Sequence, residues 1–196
     1  MSGFRYNTVD DTPPSRGRAF LVAIVIVGAL AVGFASMLQR SIPRNGAHSQ
    51  SRLVGTQAPQ FEVDGWLNGP GPTEAERRGK VVVVDAWAWW CGPCRMAAPE
   101  MITLEKKYKG QGVLFVGLTT EGSDTLAKSE KFLSATKITW PNGYGARRTL
   151  QSLEADSIPH VTIIDRNNLI EDIVVGAGDT HRFIEAAIER ALAKHP

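Results

Sequence analysis

A run of four valines, Val81–Val84, constrains the fold more than any other feature, because the tetrapeptide Cys91-Gly92-Pro93-Cys94 follows it closely. A short, uninterrupted β-branched run predicts a strand buried on both faces of a sheet. A helix pattern covers about 94–109, and a second apolar strand is predicted over 113–118. Together they predict an α/β unit in which the cysteine pair lies where a buried strand passes into a helix.

The second half of the chain extends this unit. A helix is predicted over 125–135, and apolar runs at 161–164 and 169–175 flank a turn-rich quartet that indicates an antiparallel hairpin. An amphipathic helix follows, with Ile184 and Ile188 on its apolar face. The order predicts a mixed central sheet covered by helices on both faces.

Composition limits what the cysteine pair can be. The 196 residues include only 2 cysteines, which excludes a disulfide-stapled miniprotein and a four-cysteine zinc site. Hydrophobic residues make up 43% and charged residues 21%, so most of the chain can bury a core. Half of a zinc site and two idle thiols remain as alternatives, but the strand before the pair and the helix after it favour redox chemistry.

An uncharged apolar run from Ala19 to Leu38 precedes this domain, and its only polar side chain is Ser36. Twenty helical residues span roughly 30 Å, the thickness of the hydrocarbon core of a bilayer. We therefore predict a tail over 1–18, a transmembrane anchor over 19–38, a flexible linker over 39–52 and a folded domain over 53–196.

Two alternatives to the anchor stay open. A signal peptide cleaved near Gly33-Phe34-Ala35 would remove the run, although signal-peptide apolar regions are shorter, about 7–15 residues. A buried core helix is the other, although the run has no polar face to show to water.

Charge is distributed unevenly along the chain. Residues 1–52 carry six arginines against two aspartates, which leaves 16 Lys and Arg against 18 Asp and Glu in the rest. The domain is therefore mildly acidic, and this argues against a nucleic-acid-binding surface.

The cysteine spacing gives the pair its predicted chemistry. Two cysteines three apart on the first turn of a helix can close a small redox-active disulfide, so Cys91–Cys94 needs no separate cofactor. Unpaired N–H groups and the helix dipole favour thiolate there, so we expect the pKa of the exposed Cys91 to be lowered. Cys91 should attack a partner disulfide, and the deeper Cys94 should then release the partner.

Several segments resemble the thioredoxin-like family, in particular its membrane-anchored TlpA/ResA-type thiol:disulfide oxidoreductases. Residues 87–99 (WAWWCGPCRMAAP) resemble the thioredoxin active-site segment, and 53–61 resemble the start of the TlpA/ResA-type domain. Ile158-Pro159 and 163–165 match the same family. The resemblance covers about 53–193 and implies a thioredoxin fold with disulfide reductase or related exchange activity.

The resemblance also assigns a role to Asp85, which ends the buried strand six residues before Cys91. Thioredoxins carry an aspartate at the matching place, and burial would raise its pKa so that it could take the proton of Cys94. Two departures from related proteins stand out. The lysine that accompanies this aspartate in thioredoxins is not evident, and Ala97 stands where some TlpA/ResA-type proteins place a glutamate.

The residues around the pair are assigned to substrate binding by the same resemblance. Pro159 matches the family's cis-proline, which sits against the cysteines, and Ile158 resembles the thioredoxin choice, which points to a reductant. Trp90 is expected to be exposed beside Cys91, where it forms a docking surface with Gly92 and Pro93. No metal site is predicted.

The role of His160 is left between two interpretations. It could contact the thiols and stabilise thiolate, or it could be a hydrophilic residue on the rim of the site. The two thiols, with or without His160, could also hold a soft ion such as Cu(I), which would make the domain a metal-delivery module.

The residues and the resemblance together predict a membrane-anchored protein-disulfide reductase whose domain faces the periplasm or the extracellular side. Its expected partners are client protein disulfides, a membrane thiol-reductant donor and membrane lipid, with no nucleic acid. The resemblance makes cytochrome c biogenesis a plausible setting. A net oxidant or isomerase is the alternative within redox chemistry. A peroxidase is disfavoured because Ala88 replaces the required threonine or serine.

Overall fold

The computed structural model describes residues 51–195. Along the chain the elements are β1 (Gly65–Leu67), α1 (Glu74–Arg77), β2 (Val81–Ala86), α2 (Gly92–Tyr108), β3 (Val113–Leu118), a 3₁₀ turn (Ser123–Thr125), α3 (Leu126–Thr136), β4 (Asn142–Tyr144), α4 (Arg147–Ser152), β5 (His160–Ile164), β6 (Ile170–Val175) and α5 (His181–Ala193).

The six strands form one mixed sheet in the order β1-β4-β3-β2-β5-β6. β2 is central: it runs parallel to β3 and antiparallel to β5, and every one of its residues is buried. This explains the unbroken valine run, because a central strand with both faces covered has no polar face. The thioredoxin-like α/β fold with a mixed sheet is confirmed.

Successive residues of β2 point to two separate hydrophobic cores. Val81 and Val83 belong to the core beneath α2, α3 and α5, which also contains both cysteines. Val82 and Val84 belong to the core on the opposite face, where α4 packs. The face to which a side chain near the cysteines points therefore decides whether it can take part in thiol chemistry.

The long elements match the sequence predictions, and four short ones do not. β3 has the predicted bounds, α2 begins two residues early at Gly92, and β5 and β6 form the predicted hairpin. The sequence analysis missed β1, α1, β4 and α4, which have three to six residues each. Segments this short complete too few periods to reveal a hydrophobic pattern.

Between residues 51 and 195 no helix combines the length and the apolar character needed to cross a bilayer. The predicted tail over 1–18, the anchor over 19–38 and most of the linker over 39–52 lie outside the described residues. The anchor and the domain boundaries therefore stay predictions.

Candidate active site

The two cysteines form a disulfide at the start of α2, with an Sγ–Sγ distance of 1.97 Å and a Cα–Cα distance of 5.3 Å. Cys91 is the N-cap residue of the helix, and its Sγ accepts a hydrogen bond from the backbone N–H of Cys94 at 3.0 Å. The sulfur thus meets one of the N–H groups that a helix leaves unpaired at its first turn.

The local sequence explains how the helix starts here. Cys91 has an extended backbone (φ −75°, ψ 100°), and Pro93 occupies the first helical turn. A proline costs little at that position, because its missing N–H would have no intrahelical partner. The backbone N–H of Arg95 donates to the Cys91 carbonyl at 3.2 Å and begins the helical pattern.

The expected difference in exposure between the cysteines is wrong. Cys91 is 3% exposed and Cys94 is 6% exposed, so both are buried and Cys91 is not the more accessible residue. In the disulfide form the Cys91 sulfur is bonded to Cys94 and turned onto the Cys94 amide, which leaves little of its surface to solvent.

The residues predicted to bind substrate lie at different depths. Trp90 is 61% exposed, as predicted, and Gly92 and Pro93 are also exposed. Pro159 is buried, its bond with Ile158 is cis as the resemblance implied, and Ile158 is half-buried against the core that contains the cysteines. Their roles in substrate binding stay predictions.

Two residues that the sequence analysis did not single out belong to this surface. Met96, on the first turns of α2, is 71% exposed. Glu121, in the loop after β3, accepts the indole N–H of Trp89 at 2.7 Å and that of Trp90 at 3.0 Å. Lys128 lies over the Trp89 ring, with its Nζ 4.4 Å from the centroid. The tryptophan pair before Cys91 is thus held by one carboxylate about thirty residues away.

Asp85 is buried, as predicted, with 7% of its surface exposed. It pairs with Val161 on one side and Gly117 on the other, and Val161 belongs to the core that contains the cysteines. Removal from water raises the pKa of the Asp85 carboxyl to about 7. Asp85 therefore lies on the same face of the sheet as the disulfide, with its pKa raised toward neutral pH by burial.

A glycine stands opposite Asp85 on the neighbouring strand. A side chain at Gly117 would collide with the Asn142 amide, which accepts the Trp87 indole N–H at 2.9 Å. Trp87 is in the core, as predicted, and stacks on Phe132 with 4.7 Å between the ring centroids. The neighbour of Asp85 in β3 is thus required to be small, which agrees with the absence of a lysine there.

Both interpretations of His160 are wrong. The residue is 3% exposed, so it is not on a hydrophilic rim. It pairs with Ala86, whose side chain lies in the core on the face away from the cysteines, so His160 does not contact the thiols. Its Nε2 lies 3.2 Å from the Thr162 hydroxyl. Burial lowers the His160 pKa, against a smaller raising effect of Asp156.

Within residues 51–195 no three His, Cys, Asp or Glu side chains converge into a group suited to a metal ion. His160 in particular is not a third ligand beside the two thiols, because a sheet separates them.

The model of the Redoxin family matches residues 53–192, and the chain belongs to that family. Among curated proteins the chain is similar to the thioredoxin-like protein YneN of Bacillus subtilis, with 33% identity over 127 residues, 62% of this chain and 71% of YneN. It is also similar to the thiol-disulfide oxidoreductase ResA of Bacillus thuringiensis, with 26% identity over 158 residues, 80% of this chain and 87% of ResA.

Among solved structures the chain is similar to the thiol:disulfide interchange protein DsbE of Chlorobium tepidum. The TM-score is 0.63 and the identity 28%, and the match covers 71% of this chain and 98% of the other. With the cysteine pair at its helix start, this chain is a thiol-disulfide oxidoreductase of the ResA/DsbE type.

Proposed function

We propose that this oxidoreductase is anchored in the membrane and reduces protein disulfides outside the cytoplasm through Cys91 and Cys94. The observation that carries the proposal is the hydrogen bond from the Cys94 backbone N–H to Cys91 Sγ at the start of α2. In the reduced protein the same donor and the helix dipole stabilise a thiolate on Cys91, which is the attacking species in disulfide exchange.

The reaction proceeds in two exchanges. The Cys91 thiolate attacks one sulfur of a client disulfide, so a mixed disulfide forms and the other client sulfur leaves as a thiolate that is protonated from water. Cys94 then loses its proton and attacks Cys91, which forms the Cys91–Cys94 disulfide and releases the second client thiolate. Two electrons pass from the dithiol to the client.

Asp85 is proposed as the acceptor of the Cys94 proton. It is buried on the face of β2 that α2 covers, and its pKa of about 7 lets it take and return a proton near neutral pH. Desolvation is the cause of this raised pKa, and no lysine stands beside Asp85 on β3 to lower it.

The client is proposed to dock beside Cys91 on the exposed side chains of Trp90 and Met96 and on Gly92 and Pro93. Large exposed apolar side chains around a buried disulfide favour an unfolded or extended protein segment as substrate. Ile158 and Pro159 complete the proposed contact surface.

The reducing direction is supported by Ile158, an aliphatic side chain that packs against the core containing both cysteines. It offers no hydroxyl to stabilise the reduced form, and stabilisation of the reduced form is what makes a dithiol pair oxidising. We therefore expect a potential nearer about −270 mV than about −120 mV. A membrane thiol carrier would supply electrons, and cytochrome c precursors are proposed clients because of the similarity to ResA.

Two measurements test the chemistry of this proposal. Equilibration of the full chain with glutathione buffers should give a potential well below about −180 mV, and a value at or above that level would make it an oxidant or isomerase. The variant Cys94→Ser should accumulate mixed disulfides with clients, whereas the matched variant Cys91→Ser should accumulate none.

The anchor and its orientation need a separate test. A phosphatase fused after residue 196 should be active, and the full chain should stay in the membrane fraction after a carbonate wash. An inactive phosphatase fusion would place the domain in the cytoplasm. This result would contradict the proposed location without affecting the chemistry.

A further inference from the structure

Arg77, the last residue of α1, is a buried cation without a hydrogen-bonding partner. It is 9% exposed, and its Nε and Nη1 are both shielded from solvent and donate to no acceptor among residues 51–195. The helix holds it there: the Thr73 hydroxyl and the Glu76 carboxylate cap each other's backbone N–H, and the Arg77 N–H donates to the Thr73 carbonyl at 3.1 Å.

The neighbours of Arg77 do not neutralise it fully. Its guanidinium carbon lies 4.3 Å from the centroid of the Phe61 ring, a cation–π contact. Glu74 attracts it, yet the Glu74 carboxylate accepts its hydrogen bond from Arg78 at 3.2 Å. Burial lowers the Arg77 pKa, but a guanidinium stays charged at neutral pH. Buried charges are otherwise paired, so an unpaired one points to a missing anion.

A cavity of about 330 Å³ has Arg77 among its lining residues. Arg77 and Arg78 supply positive charge to its lining and Glu74 the one negative charge, while Gln57 and Gln60 supply amide groups. The remaining lining residues are Ala58, Pro59 and Asn168. The volume is at the small end of the range for ligand pockets, about 300–1,000 Å³.

We propose that this cavity binds a small anion through a phosphate or carboxylate group held by Arg77. Nη2 is the guanidinium nitrogen that is not shielded from solvent, and it belongs to both two-donor edges of the planar group, one with Nε and one with Nη1. A turn of the guanidinium toward the cavity would present one of these edges to the anion. Such an edge matches two oxygens of a phosphate or carboxylate. The amides of Gln57 and Gln60 can donate further hydrogen bonds to the same group.

The site is separate from the thiols. Arg77 comes before the start of β2, and Cys91 comes after its end. The six residues of the strand put roughly 17 Å between these two ends. Asn168, in the β5–β6 turn, also lies at the start of β2, because Ile164 pairs with Val82. A bound anion would therefore leave the exchange reaction itself unchanged.

The test measures thermal unfolding of the oxidised full chain in a neutral detergent. Inorganic phosphate and acetate are titrated separately against chloride of equal ionic strength, and phosphatidylglycerol is added to the micelles in another arm. At ten times its dissociation constant, a bound anion should raise Tm by about 3–6 °C. A response to phosphate or acetate identifies a dissolved anion, and a response to phosphatidylglycerol alone identifies a lipid headgroup as the source.

Variants assign the response to Arg77. Arg77→Leu should abolish it and, by removing an unpaired buried charge, should raise Tm in chloride. Arg77→Lys keeps the charge but loses the planar edge, so binding should weaken at least about tenfold. Arg148→Leu is the matched control, because Arg148 is exposed and paired with Glu62, and it should keep the full response.

The proposal is overturned if neither anion nor the lipid raises Tm beyond chloride, or if Arg77→Leu keeps the response. A lower Tm of Arg77→Leu in chloride, below that of Arg148→Leu, would also overturn it, because Arg77 would then be a structural contact. Disulfide exchange serves as an independent readout, and it should be unaffected in every variant.

Discussion

Asp85 and His160 occupy neighbouring positions at the same end of the sheet but opposite faces of it. Asp85 pairs with Val161, and the adjacent residue Ala86 pairs with His160. Both side chains are buried, and burial favours the neutral form of each: it raises the Asp85 pKa to about 7 and lowers that of His160. Only Asp85 lies on the face that carries the disulfide. Burial shifts the pKa of both groups, but only a group on the face that carries the disulfide can exchange a proton with a cysteine.

The largest expected effect is on catalysis by the residue on the cysteine face. Asp85→Asn should slow disulfide reduction near pH 7 by about 100-fold or more, because a general base typically contributes about 10²- to 10⁴-fold. Single-turnover rates from pH 6 to 9 measure this, with His160→Gln as the control on the other face. An unchanged Asp85→Asn rate across that range would remove Asp85 from the mechanism.

Stability should depend on pH through the same carboxyl. Since the folded-state pKa of Asp85 is about 7 and its ordinary value is 3.8, the native state holds an extra proton between these values. Stability should therefore fall as pH rises from about 4 to 7, by at most about 4 kcal/mol, and stay level above. Denaturant unfolding of Asp85→Asn should lack this loss; a variant with the wild-type slope would show that Asp85 ionises normally.

His160 should give the opposite slope. Its pKa is lowered from 6.5 in the folded state, so the unfolded chain binds the extra proton and stability should fall as pH drops below about 6.5. His160→Gln should remove that acid-side loss and cost about 1–3 kcal/mol at neutral pH if the contact with Thr162 is lost. A large change in exchange rate instead would show that the two faces are not separate.

The smallest effect is expected at Glu121, which acts through the tryptophans on the docking surface. Glu121→Ala should raise the KM for a protein substrate about 3- to 10-fold with little change in kcat, since both indole hydrogen bonds to the Glu121 carboxylate are lost. Glu121→Gln keeps one acceptor oxygen and so can accept from one of the two indoles, and it should restore only part of the KM; tryptophan fluorescence should report the freed indoles. A fall in kcat alone would place Glu121 in the chemistry rather than in docking.

The sequence predicted the elements that have a long hydrophobic pattern, and it missed features that have no local pattern. β2 and β3 were predicted because a central strand must be apolar over its whole length. The burial of Asp85 followed from its place at the end of such a strand. The cis bond before Pro159 followed only from resemblance. Glu121, by contrast, carries no local signal, because its partners are Trp89 and Trp90, about thirty residues away.

By itself the sequence determined that a buried strand leads into a helix that begins with two cysteines, and this placed the reactive pair and Asp85 together. Those features are local, since strand patterning and helix starts depend on neighbours along the chain. Only the tertiary structure decided that His160 points away from the thiols and that Arg77 is buried without a partner. Such facts depend on strand register and on contacts between distant segments, where a shift of one residue would exchange the two faces of the sheet.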